Sequence, residues 1–219
     1  MSMASHELKT PLTSIKAYLQ ILRMMAEKEG GKNKDLLEKM DAQVDMLSRL
    51  INELLDITKA QKGKLEFKME KFDFDNEIKE TIEMMRNTIK SHRFTVKGKT
   101  GKIVIGDKDR IGQVFINLFT NAVKFSPENK QVNVHLSSDK NQVVASVEDF
   151  GSGIPRKHIK GIFNRYYRVS QGSGVAVSGL GIGLYISNEI IKRHHGKIDV
   201  ESTEGIGSTF TVSLPLVQA

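Results

Sequence analysis

The sequence predicts an α+β protein in which a helical hairpin, paired with a second copy as a four-helix bundle, is followed by an α/β sandwich. Three observations predict this class: a heptad pattern through the first 62 residues, alternating apolar strands further along, and a glycine-rich stretch late in the chain. The 219 residues suffice for two small domains, each with its own core. We expect these domains to span residues 1–64 and 65–219.

The first 62 residues carry apolar side chains at alternating spacings of four and three, which is typical of coiled-coil-like helices. The heptad positions are Leu8, Leu12, Ile15, Leu19 and Leu22 in one helix, and Leu37, Met40, Val44, Leu47, Ile51 and Leu54 in the next. Gly30 and Gly31 interrupt the pattern and predict the turn of a hairpin. Because a lone hairpin leaves apolar surface exposed, we expect a homodimer through residues 1–64.

The pattern changes after a hinge predicted at residues 62–64. We expect a strand around Leu65, Phe67 and Met69, where apolar and polar residues alternate. The remaining predicted helices span 73–91, 108–124 and 180–194, and the remaining strands span 93–97, 102–106, 131–137, 142–148, 197–202 and 208–214. The strands look antiparallel, and one sheet packed against helices gives an α/β sandwich. Residues 150–179 are rich in glycine and serine and predict a long loop, and loops of this length are usually functional or disordered.

Composition excludes several classes of protein. The chain contains no cysteine, which excludes a disulfide scaffold and a thiolate metal site. No stretch reaches the roughly 18 apolar residues of a membrane span, and the N-terminus lacks the apolar core of a signal peptide. We therefore expect a cytoplasmic chain, with any membrane anchor in segments outside it. The net charge of +7 fits either a solvated basic surface or acidic partners such as nucleotides. No basic patch is interleaved with aromatic residues, so we expect no nucleic-acid binding.

A first candidate for chemistry lies at residues 5–11, SHELKTP. His6 and Thr10 share one face of the predicted helix, and Glu7 lies three residues before Thr10. Neutral imidazole is a good nucleophile, and a neighbouring carboxylate can orient it and take its proton. Taken alone, the same residues also fit an ordinary surface histidine near a helix start.

A second candidate is NLFTNAVKFSP, at residues 117–127. Asn117, Asn121 and Lys124 follow one another by a turn along a helix that is otherwise apolar. Amide oxygens can help to bind Mg²⁺, and the lysine can meet phosphate charge. The alternative is that these side chains simply face water.

Three glycine clusters follow, at residues 149–154, 179–184 and 205–210. Glycine permits close approach of the backbone, and the middle cluster opens a helix whose free N–H groups can hold phosphate. No strand leads into that cluster, which argues against a dinucleotide fingerprint. Asp149 follows a predicted strand and could accept a hydrogen bond from an adenine amino group. Each cluster alone is also compatible with ordinary turns.

The segment FNRYYR, at residues 163–168, combines aromatic rings with two guanidinium groups inside the long loop. We expect a helix end that serves as a lid over a polyphosphate. A locally packed aromatic turn is the alternative.

In this order the motifs resemble those of the histidine kinases of two-component signalling, over residues 4 to about 215. SHELKTPLTSI resembles the H box, NLFTNAVKFSP the N box, and DFGSGI, FNRYYR, SGLGIGL and EGIGSTF the glycine and Phe motifs that follow. The resemblance implies a Bergerat-type ATP-binding fold, ATP and Mg²⁺ as cofactors, and a response-regulator receiver domain as partner.

The resemblance also implies roles for single residues. His6 would accept the phosphoryl group, Glu7 would assist proton removal, and Thr10 would help to dephosphorylate the partner. Asn121 would be the principal Mg²⁺ ligand, with Asn117 in support. The nucleotide would be held by both asparagines and by Lys124, Phe125, Asp149, Gly151, Gly153, Ile154, Tyr167, Arg168, Gly179, Leu180, Gly181, Ile182, Gly183, Leu184 and Thr209.

Two positions bear on the type of reaction. The chaperone, topoisomerase and mismatch-repair ATPases that share the fold carry a glutamate general base where this chain has Asn117, and an amide cannot take a proton from water. Phosphoryl transfer is therefore favoured over bulk hydrolysis. Phe150 replaces the family's usual asparagine, which leaves that residue's polar role open. A non-catalytic nucleotide-binding module and a hydrolase remain the alternatives.

Overall fold

The computed structural model describes residues 67–169 and 181–216, together with helical residues at 13, 15–22, 24–25, 37, 40–41, 44, 47 and 51. The chain divides into two compact units, Met1–Leu65 and Glu66–Ala219. The turn predicted at Gly30 and Gly31 and the hinge predicted at residues 62–64 lie outside the described residues.

The described residues of the first unit are helical, as the heptad pattern predicts. Leu19 and Leu37, one from each predicted helix, are buried in one cluster, and Val44 packs against it. Other heptad positions stay exposed, among them Ile15 at 46% and Leu47 at 47%. The two helical segments therefore share a small core and leave part of their apolar surface uncovered.

The second unit alternates strands and helices, which we number within this unit. They are β1 (Glu70–Asp73), α1 (Phe74–Thr88), β2 (Arg93–Gly98), β3 (Ile103–Gly106), α2 (Lys108–Phe125), β4 (Gln131–Ser138), β5 (Gln142–Asp149), α3 (Arg156–Ile159), α4 (Gly183–Arg193), β6 (Lys197–Thr203) and β7 (Gly207–Pro215). These bounds confirm the α+β class.

A five-stranded sheet in the order β2-β4-β5-β7-β6 forms the centre of this unit, and β1 and β3 form a separate two-stranded sheet. The antiparallel interpretation holds for three neighbouring pairs of the main sheet and is wrong for β2 and β4, which run parallel. The reason is the long connection between them: the chain leaves β2, passes through β3 and α2, and returns in the original direction.

The core of the second unit lies between one face of the main sheet and helices α1, α2 and α4. Alternate residues of β4, β5 and β7 point inward, among them Val134, Ala145 and Val212. The ring of Phe119 in α2 meets Phe94 of β2 edge-on, with 5.6 Å between centroids. The sheet and the three helices thus form the two layers of an α/β sandwich.

The start of α1 is fixed by two carboxylates. Asp73 caps the helix by accepting the N–H of Asn76 at 2.9 Å. Asp75 is buried and accepts hydrogen bonds from the backbone N–H and hydroxyl of Thr100 and from the N–H of Gly101. Burial opposes its ionisation, but these hydrogen bonds outweigh burial and hold the pKa of Asp75 below its ordinary value. The β2–β3 turn is thereby joined to α1.

The strand predicted around Leu65, Phe67 and Met69 is wrong where the structure describes it, because residues 67–69 have no regular structure. The backbone N–H of Lys68 donates to the Asp107 carboxylate at 2.9 Å instead of to a neighbouring strand. The ring of Phe67 packs edge-on against buried His194, 5.3 Å away. The alternation therefore reflects packing against α4 and not strand pairing.

Helix α4 ends in a Schellman motif with a histidine at the position that favours glycine. The N–H of Gly196 donates to the carbonyl of Ile191 at 2.9 Å, and that of His195 to Lys192 at 3.0 Å. His195 has φ of 56°, in the left-handed region that disfavours side chains. Its imidazole is exposed, so nothing in the core compensates this conformation.

Replacing this residue should stabilise the second unit. We expect His195→Gly to raise its free energy of unfolding by roughly 0.5–1 kcal/mol, since glycine adopts positive φ readily but loses more chain entropy on folding. Chemical denaturation of the full chain, followed by circular dichroism, measures the change. His195→Ala is the matched control, because it removes the imidazole and keeps the Cβ. An equal gain in both variants would show that the backbone conformation is not the cause.

Candidate functional site

Helix α2 carries the polar strip that the sequence singles out. Its opposite face is fully buried, with Val114, Phe115 and Leu118 at 0–1% exposure. Asn117 and Asn121 are half-buried on the strip, and Lys124 at its end is exposed with its ammonium 5.2 Å from the Phe125 ring centroid. The burial of one face fixes the direction of the other, and Asn117 on it donates from Nδ2 to Ser187 Oγ at 3.0 Å, so this asparagine does not simply face water.

The N-terminus of α4 lies against the middle of this strip. A Cβ at Gly183 would lie 2.3 Å from Oδ1 of Asn117, so only glycine fits there without displacement. The N-cap residue Ile182 is buried, and no side chain caps the helix. The apolar side chain of Ile182 therefore leaves the first N–H groups of α4, next to Asn117, without a hydrogen bond from the N-cap residue.

The first glycine cluster is joined to the end of α2. A Cβ at Gly151 would lie 2.0 Å from the Phe125 carbonyl oxygen, which also accepts the N–H of Ser152 at 3.1 Å. Gly153 has φ of 63°, and a Cβ there would lie 2.1 Å from the Thr203 carbonyl. The half-buried Ile154 is held by its own N–H, which donates to Ser202 Oγ at 2.8 Å.

The third glycine cluster packs against the first cluster and the end of β5. Gly205 donates its N–H to the Ser152 carbonyl at 2.8 Å. Gly207 has φ of 144°, and a Cβ there would lie 2.1 Å from the carbonyl of Asp149. The first and third clusters therefore interlock around the end of β5, next to the C-terminus of α2.

Asp149 is the buried acid of this region, with 6% of its surface exposed. Burial raises the pKa of its carboxyl, and the nearby Glu148 adds to the increase. The N–H groups of Gly151, at 3.0 Å, and of Ser208 donate to the carboxylate and partly oppose that increase. The result is an acceptor whose ionised form is costly unless a further donor reaches it.

The sheet register brings Ser208 to Asp149, and not the predicted Thr209. Asp149 pairs with Ser208, whereas Thr209 pairs with Glu148. Since successive side chains of a strand point to opposite faces, Thr209 lies on the face of the sheet away from Asp149. The hydroxyl of Ser208 is 3.0 Å from that of Ser202, which bonds the Gly207 carbonyl.

The segment 163–168 forms turns and not the predicted helix end. Tyr166 has φ of 60°, which ends any helical course there. The hydroxyl of Tyr167 hydrogen-bonds Nδ1 of His158 at 2.7 Å, and the Arg165 guanidinium lies 5.0 Å from the Tyr185 ring centroid. The tyrosine therefore belongs to a locally packed aromatic turn, which was the alternative interpretation.

Gly181 connects this turn to α4. It has φ of 69°, and a Cβ there would lie 2.6 Å from the Tyr167 carbonyl oxygen and 3.1 Å from Cγ of the exposed Arg168. Leu184 follows in the first turn of the helix and is half-buried. Gly181 therefore lies beside Tyr167 and Arg168 in space.

Most of the candidate residues that the structure describes lie around α2. Five candidates lie outside the described residues. Those outside are His6, Glu7, Thr10, Gly179 and Leu180. Sequence reasoning missed Ser187, Ser202 and Ser208. Only Ser187 had a usable signal, because it lies one helical turn after Gly183.

The described residues contain neither a histidine–carboxylate metal cluster nor a membrane-spanning helix. Among them, no group of three histidine, aspartate or glutamate side chains could bind a metal ion. No helix within the same set is long and apolar enough to cross a bilayer.

Two family models match the chain. One, described as histidine kinase-, DNA gyrase B- and HSP90-like ATPase, matches residues 106–218, and the other, described as His Kinase A (phospho-acceptor) domain, matches residues 1–63. The chain belongs to the sensor histidine kinases. The resemblance read from the motifs is confirmed, and the three glycine clusters all fall within the ATPase match.

Curated sensor protein kinases match almost the whole chain. Sensor protein kinase WalK of Staphylococcus saprophyticus is 35% identical over 214 residues, which are 96% of this chain and 35% of that protein. WalK of Staphylococcus aureus strain Newman is 33% identical over 215 residues, again 96% and 35%. The chain thus spans about a third of the length of these relatives.

Solved structures of histidine kinases share the fold. A mycobacterial sensor histidine kinase, MprB, matches with a TM-score of 0.59 and 27% identity, over 68% of this chain and 97% of that one. Full-length ShkA in complex with AMPPNP matches with a TM-score of 0.79 and 22% identity, over all of this chain and 46% of that one. At that identity, ShkA supports the fold alone.

The raised pKa of Asp149 predicts a pH-dependent stability. In the folded kinase its carboxyl binds a proton at higher pH than in the unfolded chain, so its contribution to stability is present at acid pH and is lost as the pH rises through the raised pKa. Asp149→Asn cannot ionise. The free energy of unfolding of this variant, minus that of wild type, should therefore increase between pH 3 and pH 7 in denaturation experiments.

The matched control is Asp139→Asn in the β4–β5 turn. The N–H groups of Asn141 and Gln142 lower the pKa of Asp139, so its contribution is present above the unfolded pKa and is lost at acid pH. For Asp139→Asn, the free energy of unfolding minus that of wild type should therefore decrease as the pH rises from 3 to 7. Parallel trends in the two variants would contradict the assignment for Asp149.

Proposed function

We propose that this chain transfers the γ-phosphoryl group of ATP to His6 and then to an aspartate of a response-regulator receiver domain. The observation that carries the proposal is the meeting of the glycine clusters at one place: Gly151 at Phe125 and Gly183 at Asn117 approach α2, and the Gly205–Gly207 turn lies against Asp149 and Ser152 at the end of β5. Residues 65–219 would bind the nucleotide, and residues 1–64 would supply the phosphoacceptor.

The nucleotide would be recognised at both ends. Asp149 would accept a hydrogen bond from the adenine amino group, which supplies the donor that its buried carboxylate needs. The uncapped N-terminus of α4, together with Lys124 and Arg168, would face the phosphates. Gly181, with φ of 69°, would let the backbone approach them closely.

Mg²⁺ would be held by Asn121, with Asn117 in support. The donor set fits this ion: half-buried carboxamide oxygens near a phosphate site, and no carboxylate cluster among the described residues to compete. The ion would neutralise phosphate charge when bound with ATP. The chain's own residues would orient the phosphates and exclude water.

The transfer itself would occur at the imidazole. A ring nitrogen of His6 forms a bond to the γ-phosphorus while the bond to the bridging oxygen of ADP breaks, and ADP leaves with that electron pair. Glu7 takes the proton that the ring nitrogen carried. Since the amide of Asn117 cannot activate water, transfer is favoured over hydrolysis.

The partners follow from the first unit. The exposed heptad residues Ile15 and Leu47 support a homodimer through residues 1–64, in which a second copy covers them. Thr10, one turn from His6, would position water when the kinase dephosphorylates the receiver domain. The chain would work in the cytoplasm, where ATP and receiver domains are available.

Incubation of the full chain with γ-³²P-ATP tests the proposal. We expect an acid-labile label on wild type, complete loss in His6→Gln, and a decrease of at least about 100-fold in Asn121→Ala. Asn87→Ala, on the exposed surface of α1, is the matched control and should label normally.

Other outcomes would assign another function. Tight ATP binding without any label would indicate a non-catalytic binding module. Rapid release of phosphate without a phosphoprotein would indicate a hydrolase. A label that survives His6→Gln would move the phosphoacceptor to another residue.

A further inference from the structure

Ser187 is a buried hydroxyl in the middle of an apolar helix face. It is 2% exposed, and its neighbours Ile186, Ile190 and Ile191 belong to the core. A buried hydroxyl is costly unless it is hydrogen-bonded. Its Oγ accepts a hydrogen bond from Nδ2 of Asn117 at 3.0 Å, which connects α4 to the polar strip of α2.

Gly183 lies one turn before Ser187 on the same face of α4. A Cβ at Gly183 would lie 2.3 Å from Oδ1, 3.0 Å from Cγ and 3.2 Å from Nδ2 of Asn117. The asparagine amide therefore lies in a slot that has no side chain at one end and a hydroxyl at the other. We call Gly183 and Ser187 together the Asn117 slot.

In the slot the two ends of the amide point in opposite directions. An amide has a donor end and an acceptor end, and only its oxygen can ligate a cation. Because Ser187 takes the NH₂ group, the oxygen is directed towards Gly183 and the uncapped start of α4. Without the hydroxyl, neither residue of the slot would hold the amide in this rotamer by a hydrogen bond.

We infer that Ser187 is a positioning residue that keeps the Asn117 oxygen turned towards the phosphate and Mg²⁺ end of the nucleotide site. The inference rests on the proposed function. Ser187 itself does not touch the nucleotide in this account and acts only through Asn117. Its loss should therefore weaken the effect of Mg²⁺ on nucleotide affinity and leave metal-free binding as it is.

Calorimetry of the full chain with AMP-PNP, with Mg²⁺ and with EDTA, measures this directly. For Ser187→Ala we expect about a tenfold weaker affinity with Mg²⁺, the scale typical of losing a group that orients a metal ligand, and less than a twofold change in EDTA. Ser187→Thr keeps the hydroxyl and should restore the Mg²⁺ effect. If Ser187→Ala unfolds the second unit, Ser187→Cys serves in its place, since it keeps the volume with a weaker acceptor.

A double-mutant cycle separates positioning from packing. If Ser187 acts through Asn117, Ser187→Ala should cost nothing further in an Asn117→Ala background. An equal loss with and without Mg²⁺, or an independent loss in the double variant, would overturn the inference. If wild type binds AMP-PNP but Ser187→Ala has no Mg²⁺-specific effect, the inference about Ser187 is overturned and the proposed function is not. Wild type that binds no nucleotide would overturn the proposed function as well.

Discussion

The burial of helix α2 is the constraint on which the rest of the second unit depends. Phe115 and Phe119 are completely enclosed, and Phe119 meets Phe94 of the sheet edge-on. An aromatic helix face packed in this way cannot rotate without opening the core. The opposite strip, with Asn117 and Asn121, is therefore held in one direction by hydrophobic packing on its other side.

The glycines matter because they let other segments of the chain approach this fixed helix closely. Gly151 lets the β5–α3 connection touch the end of α2, and Gly183 lets α4 touch its middle. A side chain at Gly151 would clash with the Phe125 backbone, and one at Gly183 would displace the Asn117 amide. The polar groups that remain include the Asp149 carboxylate, whose burial raises its pKa, and the start of α4, where Ile182 provides no side-chain cap. In the proposed function these are groups that a nucleotide would contact.

Local signals predicted most of the fold. The helix over Lys108–Phe125 and the strands β4 to β7 followed from periodicity, because each buries one face and exposes the other. The parallel direction of β2 against β4 could not be predicted, since it depends on where β3 pairs. The stretch at 67–69 imitated a strand because Phe67 packs on His194, a residue distant in sequence.

The motifs indicated the residue types of the candidate site, but not the register of the strands that carry them. The motif order indicated Asp149 and the asparagines, yet the face of β7 that reaches Asp149 is set by pairing, which brings Ser208 and not Thr209. Tyr167 illustrates a different limit: its hydroxyl is occupied by His158, a contact that no spacing rule predicts. Ser187 was missed although it lies one helical turn after Gly183, because the role of its hydroxyl becomes visible only when Asn117 is placed beside it.

The central claim is that the α2 strip beside Asp149 holds the metal–nucleotide complex. Selective ¹⁵N labelling of asparagine in the full chain, followed by titration with Mn²⁺ and AMP-PNP, tests it most directly. We predict that paramagnetic broadening removes the side-chain NH₂ signals of Asn117 and Asn121 first, while those of Asn76 and Asn87 in α1 persist. Broadening of the α1 signals with the α2 signals intact would contradict the account.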